Sequence, residues 1–342
     1  MSNNFSNYAQ FGIHNDIERF AFVGWFMFVV VSSFVGDTII LIASIKYNAF
    51  RLHRTVVVYI QHIAVCDLLN SAGNLFPAVV SIIYNRRGSS EVLKFTSFFV
   101  NYLSAAASSA LISAMTLGKL LHIRFPFRTR SWTRKKAHRL CIGLWIYSLG
   151  MPALHLFVDK DDVTFDYRVY LYNYKYSVRL WEVLMPIAIV IFIFLPNICI
   201  VVSTILILKD ARKVVRRSRK NLRWQGSMAV VFTAIIYTVS FFPITIYFIA
   251  APLVVAEPFH KEYYRICEAL LYTNVLANFF VYSVTINGFR DFLKMKFWLL
   301  VSFVRRSHQC KYDTISLSSF ERCSFEISRE KCYLITITIN PL

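Results

Sequence analysis

The chain has 342 residues, of which 56% are hydrophobic and 17% charged, and a mean hydropathy of +0.49. Soluble domains run nearer about 45–50% apolar and about 25% charged, so this balance excludes a single large water-soluble core. A formal net charge of +19 invites a nucleic-acid reading, and the placement of the basic residues decides against it below.

In chain order, residues 1–19 form an N-terminal segment carrying one glycosylation sequon, Asn4-Phe5-Ser6. Seven apolar segments follow, at about 20–44, 56–83, 92–123, 140–158, 180–208, 228–255 and 266–286. Each is long enough to cross a bilayer, which takes roughly 20 residues of helix. The first is too long and too late for a signal-peptide core and reads as an uncleaved crossing. The third is small and polar from Asn101 to Ser113, which suits a central helix shielded from lipid. Pro77, Pro152, Pro186, Pro196 and Pro243 lie inside segments, where neighbouring helices can satisfy the freed carbonyls. The expected fold is an all-α membrane protein, a seven-helix bundle over 20–287. A short amphipathic eighth helix at 288–301 and a cytoplasmic tail at 302–342 complete the organisation.

Lysine and arginine alternate between the loops. One face collects Lys46, Arg51 and Arg54, the run from Arg124 to Arg139, the run from Lys209 to Arg223, and the tail. The other face balances Arg86, Arg87 and Lys94, and the Asp159–Asp166 stretch, with mixed charge. This is the pattern of a plasma-membrane chain with its N-terminus outside and a basic inner face. Basic residues split over three loops and a tail on one face argue against nucleic acid and for contact with membrane lipids.

Of seven cysteines, Cys66, Cys141 and Cys199 lie in apolar runs and Cys310, Cys323 and Cys332 in the tail, leaving Cys267 without an outside partner. Ionisable groups at membrane depth are costly, so Asp37 and Asp67 stand out. With Ser108, Ser109, Asn274 and Asn278 they can hold a hard cation or a shared proton, or bond helix to helix. The seventh segment has no lysine for a Schiff base. His62, His122 and His155 are scattered, and no hydrolase, zinc-protease or nucleotide-loop motif occurs, so no enzyme is expected.

Ordered marks recur along the segments: Gly36-Asp37, I-A-V-C-D (Ile63 to Asp67), L-G-K-L-L-H-I-R-F-P (Leu117 to Pro126), Trp145 with Pro152, Pro196, S-F-F-P (Ser240 to Pro243), N-F-F-V-Y (Asn278 to Tyr282) and Phe289-Arg290. In that order and spacing they resemble the rhodopsin-like (class A) G protein-coupled receptors, in divergent form. The resemblance implies a sodium pocket of Asp67, Ser108, Asn274 and Asn278, with Na+ the one expected ion and no other cofactor. It also implies a switch at Phe241, Pro243 and Tyr282, and Lys119 where the family's arginine meets a heterotrimeric G protein. The family's acid beside that arginine is here Gly118, and its proline in the seventh helix is Phe279. No cysteine lies near Lys94 or between Asp159 and Arg179 for the family's outer disulfide.

The expected function is a receptor for an extracellular ligand (a peptide, lipid or chemosensory cue) that signals by movement of the sixth helix. Candidate ligand-facing residues are Asn101, Glu182, Tyr247, Glu268 and Tyr272, in the outer halves of their segments. Asn101 stands where amine receptors carry aspartate, which disfavours an amine. The serine- and threonine-rich tail is a candidate for phosphorylation and arrestin contact. The alternative is a cation or proton transporter or channel using Asp37 and Asp67. An orphan scaffold acting through a partner receptor is a third reading.

Overall fold

In hydrocarbon a backbone N–H or C=O has no water to bond, so each apolar run must satisfy its own groups and becomes a helix. The computed structural model describes residues 16–46, 50, 52–76, 91–129, 131–153, 163–166, 171–174, 187–217, 221–250, 257–299 and 301–302. Helices α1 (Asp16–Ile45), α2 (Arg54–Asn70) and α3 (Glu91–Arg124) come first. Helix α4 runs Arg134–Ser148 with a further turn at Gly150–Ala153. Helices α5 (Leu195–Arg217), α6 (Asn221–Ala250) and α7 (Glu257–Thr285) complete the seven. At Ile286 the chain turns by 96° into α8, Asn287–Leu299.

The connection between α4 and α5 departs from an all-helical expectation. It carries a two-stranded antiparallel hairpin, Val163–Asp166 against Leu171–Tyr174, with Val163 opposite Tyr174 and Asp166 opposite Leu171. Valine, threonine, phenylalanine and tyrosine favour a pleated surface, and the short runs lie outside the apolar segments that force helix. The bundle itself is the seven-helix membrane fold.

Five stretches are long and apolar enough to cross alone: Val23–Ile45, Arg54–Asn74, Phe99–Arg124, Ile187–Asp210 and Gly226–Tyr247. Helix α7 passes only together with α8. Helix α4 opens on Arg134, Lys135 and Lys136 and breaks at Leu149, so its described residues fall short. Helices α5 and α6 extend beyond their apolar segments, to Arg217 and from Asn221. Hydropathy sees only the lipid-embedded part of a helix, whereas lysine and arginine continue it well in water. Val35, Ile146, Ile205, Val239 and Val284 point outward and exposed, the surface that lipid rather than water covers.

Two wide π-turns interrupt the helices, at Ser71–Leu75 after α2 and Val190–Phe194 before α5. Each ends two residues short of a proline, Pro77 and Pro196. Proline lacks the N–H and its ring collides with the carbonyl four residues back, and opening the preceding turn is one way to accommodate it.

Helix α3 packs against α2, α4, α5 and α6. Ala106, Ala107 and Ala110 are buried along it, and such small side chains let backbones approach closely. Two glycines serve the same end. A Cβ on Gly73 would lie 2.8 Å from the Val100 side chain, and one on Gly36 would lie 3.0 Å from that of Phe279, so α2 meets α3 and α1 meets α7 at these points.

A short polar relay ties α2 to α4. The Trp145 Nε1–H donates to His62 Nδ1 at 3.2 Å, which leaves the proton of neutral His62 on Nε2. That Nε2–H then donates to His138 Nδ1, also at 3.2 Å. At the inner end of α4, burial first and then the charge of Arg134 hold His138 below its usual 6.5. The unfolded chain therefore binds a proton before the native one does. Stability from this group is complete above pH 6.5 and is lost as pH falls through the lower native value. The thermal midpoint of the purified protein is expected to fall between pH 7 and pH 5, and His138→Gln to flatten that dependence. Parallel curves for the two proteins would refute the assignment.

Candidate functional site

Among the buried polar groups of the bundle, two carboxylates organise a patch that joins several helices. Asp67 on α2 is 3% exposed, and its Oδ2 accepts a hydrogen bond from Asn278 Nδ2 of α7 at 2.7 Å. Asp37 on α1 is 1% exposed, and its Oδ2 accepts from Ser33 Oγ at 2.7 Å. Ser33 in turn accepts from Ser71 Oγ at 2.8 Å, in the π-turn that continues α2. Three helices are thus joined through two carboxylates, one serine pair and one amide.

Beside this patch lies a small cavity between α2, α3, α6 and α7, lined by Asp67, Asn70, Asn101, Ser104, Ser108, Phe241, Leu271 and Asn274 among others. Three expected sodium-pocket residues, Asp67, Ser108 and Asn274, share its wall, and the fourth, Asn278, reaches it through Asp67. Asn101, expected to face a ligand, lines the same space. Ser108 Oγ also meets Cys66 Sγ at 3.3 Å, and that thiol donates to the Ser104 carbonyl at 3.2 Å.

The other candidates fall elsewhere. Tyr272 is buried toward α1 and α2: its hydroxyl accepts from Asn74 Nδ2 at 3.3 Å and its ring meets Phe26 edge-on at 5.4 Å. Tyr247 is half-buried on α6 with its ring 6.0 Å from that of Tyr263. Glu268 lies on α7 by its backbone, its side chain outside the described set, while Glu182 and Asn4 lie wholly outside the described residues.

Phe241 forms one side of the cavity and stacks at 4.1 Å on Tyr237, one turn earlier in α6. The Tyr237 hydroxyl makes a short contact with Ser109 Oγ of α3. Pro243 lies inside the same helix, where it deletes the backbone bond to the carbonyl of Val239. At the inner end, Tyr282 is buried with its ring edge-on to Phe50 at 5.9 Å, and Phe50 stacks on Phe289 at 4.9 Å. Lys119 is 8% exposed, with its Nζ 3.7 Å from where a Cβ on Gly226 of α6 would stand. Beside it, Arg124 Nε of α3 pairs with Asp210 Oδ2 of α5 at 2.7 Å.

Residues 36–282 match the sequence profile of the 7 transmembrane receptor (rhodopsin family). The chain belongs to that family. Among curated relatives it is similar to the annetocin receptor of Eisenia fetida, 24% identical over 38% of this chain and 31% of that one. It is also similar to the human lysophosphatidic acid receptor 6, 25% identical over 62% of this chain and 64% of that one. The chain therefore spans less than two thirds of the length of either relative.

For a rhodopsin-family receptor, the polar patch holds two residues that sequence reasoning left without a role. Tyr237 links the floor of the cavity to α3 through Ser109, and its signal was its place four residues before Phe241 on one helix face. Ser33 holds Asp37, again at a spacing of four on one helix, in a segment that otherwise reads as plain lipid-facing sequence. Asn278→Ala removes the donor to a buried carboxylate and is expected to cost about 1–3 kcal/mol, read as a lower thermal midpoint in detergent. Asp67→Asn should shrink that cost in the double variant, and full additivity of the two losses would show that the bond contributes nothing.

Proposed function

We propose that this receptor takes an extracellular ligand into the cavity between α2, α3, α6 and α7 and passes the event to a heterotrimeric G protein by movement of α6. The observation that carries the reading is that Asn101, Asp67 and Phe241 line one cavity, while Phe241 stacks on Tyr237 and Tyr237 meets Ser109 of α3. A ligand pressing on Phe241 acts on a helix already weakened at Pro243, so its inner half is the element free to swing. At the inner end Lys119 faces α6 at Gly226, where the swing opens the surface a G protein would enter. A ligand shifts the two arrangements only by its differential affinity for them.

The wall of the cavity sets three amides, two serines and one carboxylate among Ala105, Phe241, Leu271 and Val275, which suits a ligand that carries a polar group on an apolar body. Tyr247, Glu182 and Glu268 complete the proposed outer contacts, whereas Tyr272 is taken up by packing against Phe26 and Asn74. The relatives are named for annetocin and for lysophosphatidic acid, and peptide, lipid and chemosensory ligands all remain in the proposal. The oxygens of Asp67, Ser108 and Asn274 on one wall fit Na+, a hard cation, as an allosteric ion. The receptor is placed in the plasma membrane with its N-terminus, glycosylated at Asn4, outside. Its inner face lies against membrane lipids, and its tail is open to arrestin.

A screen for ligand-triggered nucleotide exchange, run over a panel of G proteins in reconstituted membranes, tests the reading. Exchange that requires ligand and drops at least tenfold in Phe241→Ala supports it. Ligand-independent ion flux that Asp37→Asn and Asp67→Asn abolish would replace it with transport. Loss of the Arg124–Asp210 pair has a smaller expected effect. An exposed pair contributes about 0.2–1 kcal/mol, so Asp210→Asn should raise ligand-independent exchange by no more than about fivefold.

A further inference from the structure

A second pocket opens at the inner end of α2 and α3, away from the proposed ligand cavity, and shares Lys119 with the proposed coupling surface. Its polar lining comes from His53, Thr55 and Tyr59 around the start of α2, Lys119 and His122 of α3, and Thr129 of the turn that follows. No carboxylate occurs among its described lining residues. The two imidazoles lie with ring centres 4.5 Å apart, His53 Nδ1 is 2.8 Å from Thr55 Oγ1, and His122 Nδ1 is 3.1 Å from Thr129 Oγ1. Burial first, and then the charge of Lys119, holds His53 below its usual 6.5, which places the ammonium and the ring in one electrostatic neighbourhood.

Two further features mark this lining. Tyr59 is 2% exposed, yet its buried hydroxyl has no hydrogen-bond partner among the described residues, a costly arrangement for a donor in an apolar bundle. Gly118 also faces the cavity, and a Cβ built there would meet nothing nearer than Tyr59 Cε2 at 4.0 Å. A glycine thus leaves open space beside Tyr59 in a lining that also holds a lysine, two histidines and two threonines. A donor-rich hole without a negative charge of its own is complementary to an anion.

We propose that this cavity binds a phosphate dianion, which supplies a negative charge that the described lining lacks. The Thr129 hydroxyl donates to the Phe125 and Pro126 carbonyls at 3.1 and 3.2 Å, so the donors that meet the several oxygens of a tetrahedral anion are the Lys119 ammonium of α3 and the Tyr59 hydroxyl of α2. The phosphate comes from an inner-leaflet lipid headgroup or is free in the cytosol, and both share this chemistry. Bound there, it ties the start of α2 to the inner end of α3.

The test is phosphate binding by the full-length receptor, which needs neither ligand nor coupling, so its failure leaves the receptor reading untouched. Thermal unfolding in detergent is followed against inorganic phosphate, with chloride at matched ionic strength as control. In parallel, the receptor is placed in nanodiscs of phosphatidylcholine with and without phosphatidylinositol 4-phosphate. A saturable rise in midpoint with phosphate, with the phosphoinositide, or with both supports the site, and which arm responds identifies the source. Lys119→Gln should weaken the apparent Kd at least tenfold and Tyr59→Phe about threefold, a loss of roughly 0.7 kcal/mol by the standard conversion. Gly118→Asp should abolish the response while folding as well as the parent, because its carboxylate fills the hole. Should Lys119→Gln fail to fold, Tyr59→Phe keeps the ring in place and carries the comparison. A response equal to that of chloride, no response in either arm, or an undiminished response in Gly118→Asp would overturn the proposal.

Discussion

The bond between Asn278 and the Asp67 carboxylate is the contact on which the rest of the bundle turns. A carboxylate in the middle of an apolar helix is tolerable only when other helices bring it donors, because no water reaches it from the lipid side. That requirement fixes which face of α2 points inward and which face of α7 meets it. Asp37 takes its one donor among the described residues from Ser33 on its own helix, and Ser71 ties that serine to the α2 side. The polar patch thereby sets the rotation of three helices, while the small residues of α3 and the glycines at positions 36 and 73 set how closely they approach.

The polar centre and the moving helix are physically continuous. Phe241 touches the cavity and Tyr237, and Tyr237 touches α3, so any change in the cavity is felt on α6 within one turn of Pro243. Packed aromatic rings shift between discrete arrangements rather than deforming smoothly, which lets a small displacement at the cavity reach the inner face. The same logic accounts for the inner aromatic stack of Phe50, Tyr282 and Phe289, which carries α7 into the turn toward α8.

With Gly118 for an acid and Lys119 for an arginine, no planar two-pronged ion pair can form at that position. The structure instead offers an Arg124–Asp210 pair between α3 and α5, and a donor-lined hole between α2 and α3. A surface ion pair is weak and salt-sensitive, whereas a half-buried site filled by an anion is less screened. The restraint on the inner end of α3 is therefore distributed rather than concentrated in one bond.

Much of this was legible in the sequence, for a specific reason. Lipid forces every crossing into a helix and loop charge fixes its direction, so seven apolar runs and alternating basic loops determined the bundle without any knowledge of packing. The motif residues Asp67, Ser108, Asn274 and Asn278 were nameable because each sits in a short ordered pattern. Their convergence was not, since a run of apolar residues shows no facing direction when both lipid and core are greasy. Tertiary structure alone decided that Asn101 shares a cavity with Asp67, that Tyr272 is used to pack α7 against α1 and α2, and that Tyr237 and Ser33 belong to the polar patch. It alone revealed the hairpin before α5 and the open space beside Gly118. Sequence fixes which residues must be helical and which are too polar for lipid, and the rotation and approach of the helices decide which of those polar groups meet.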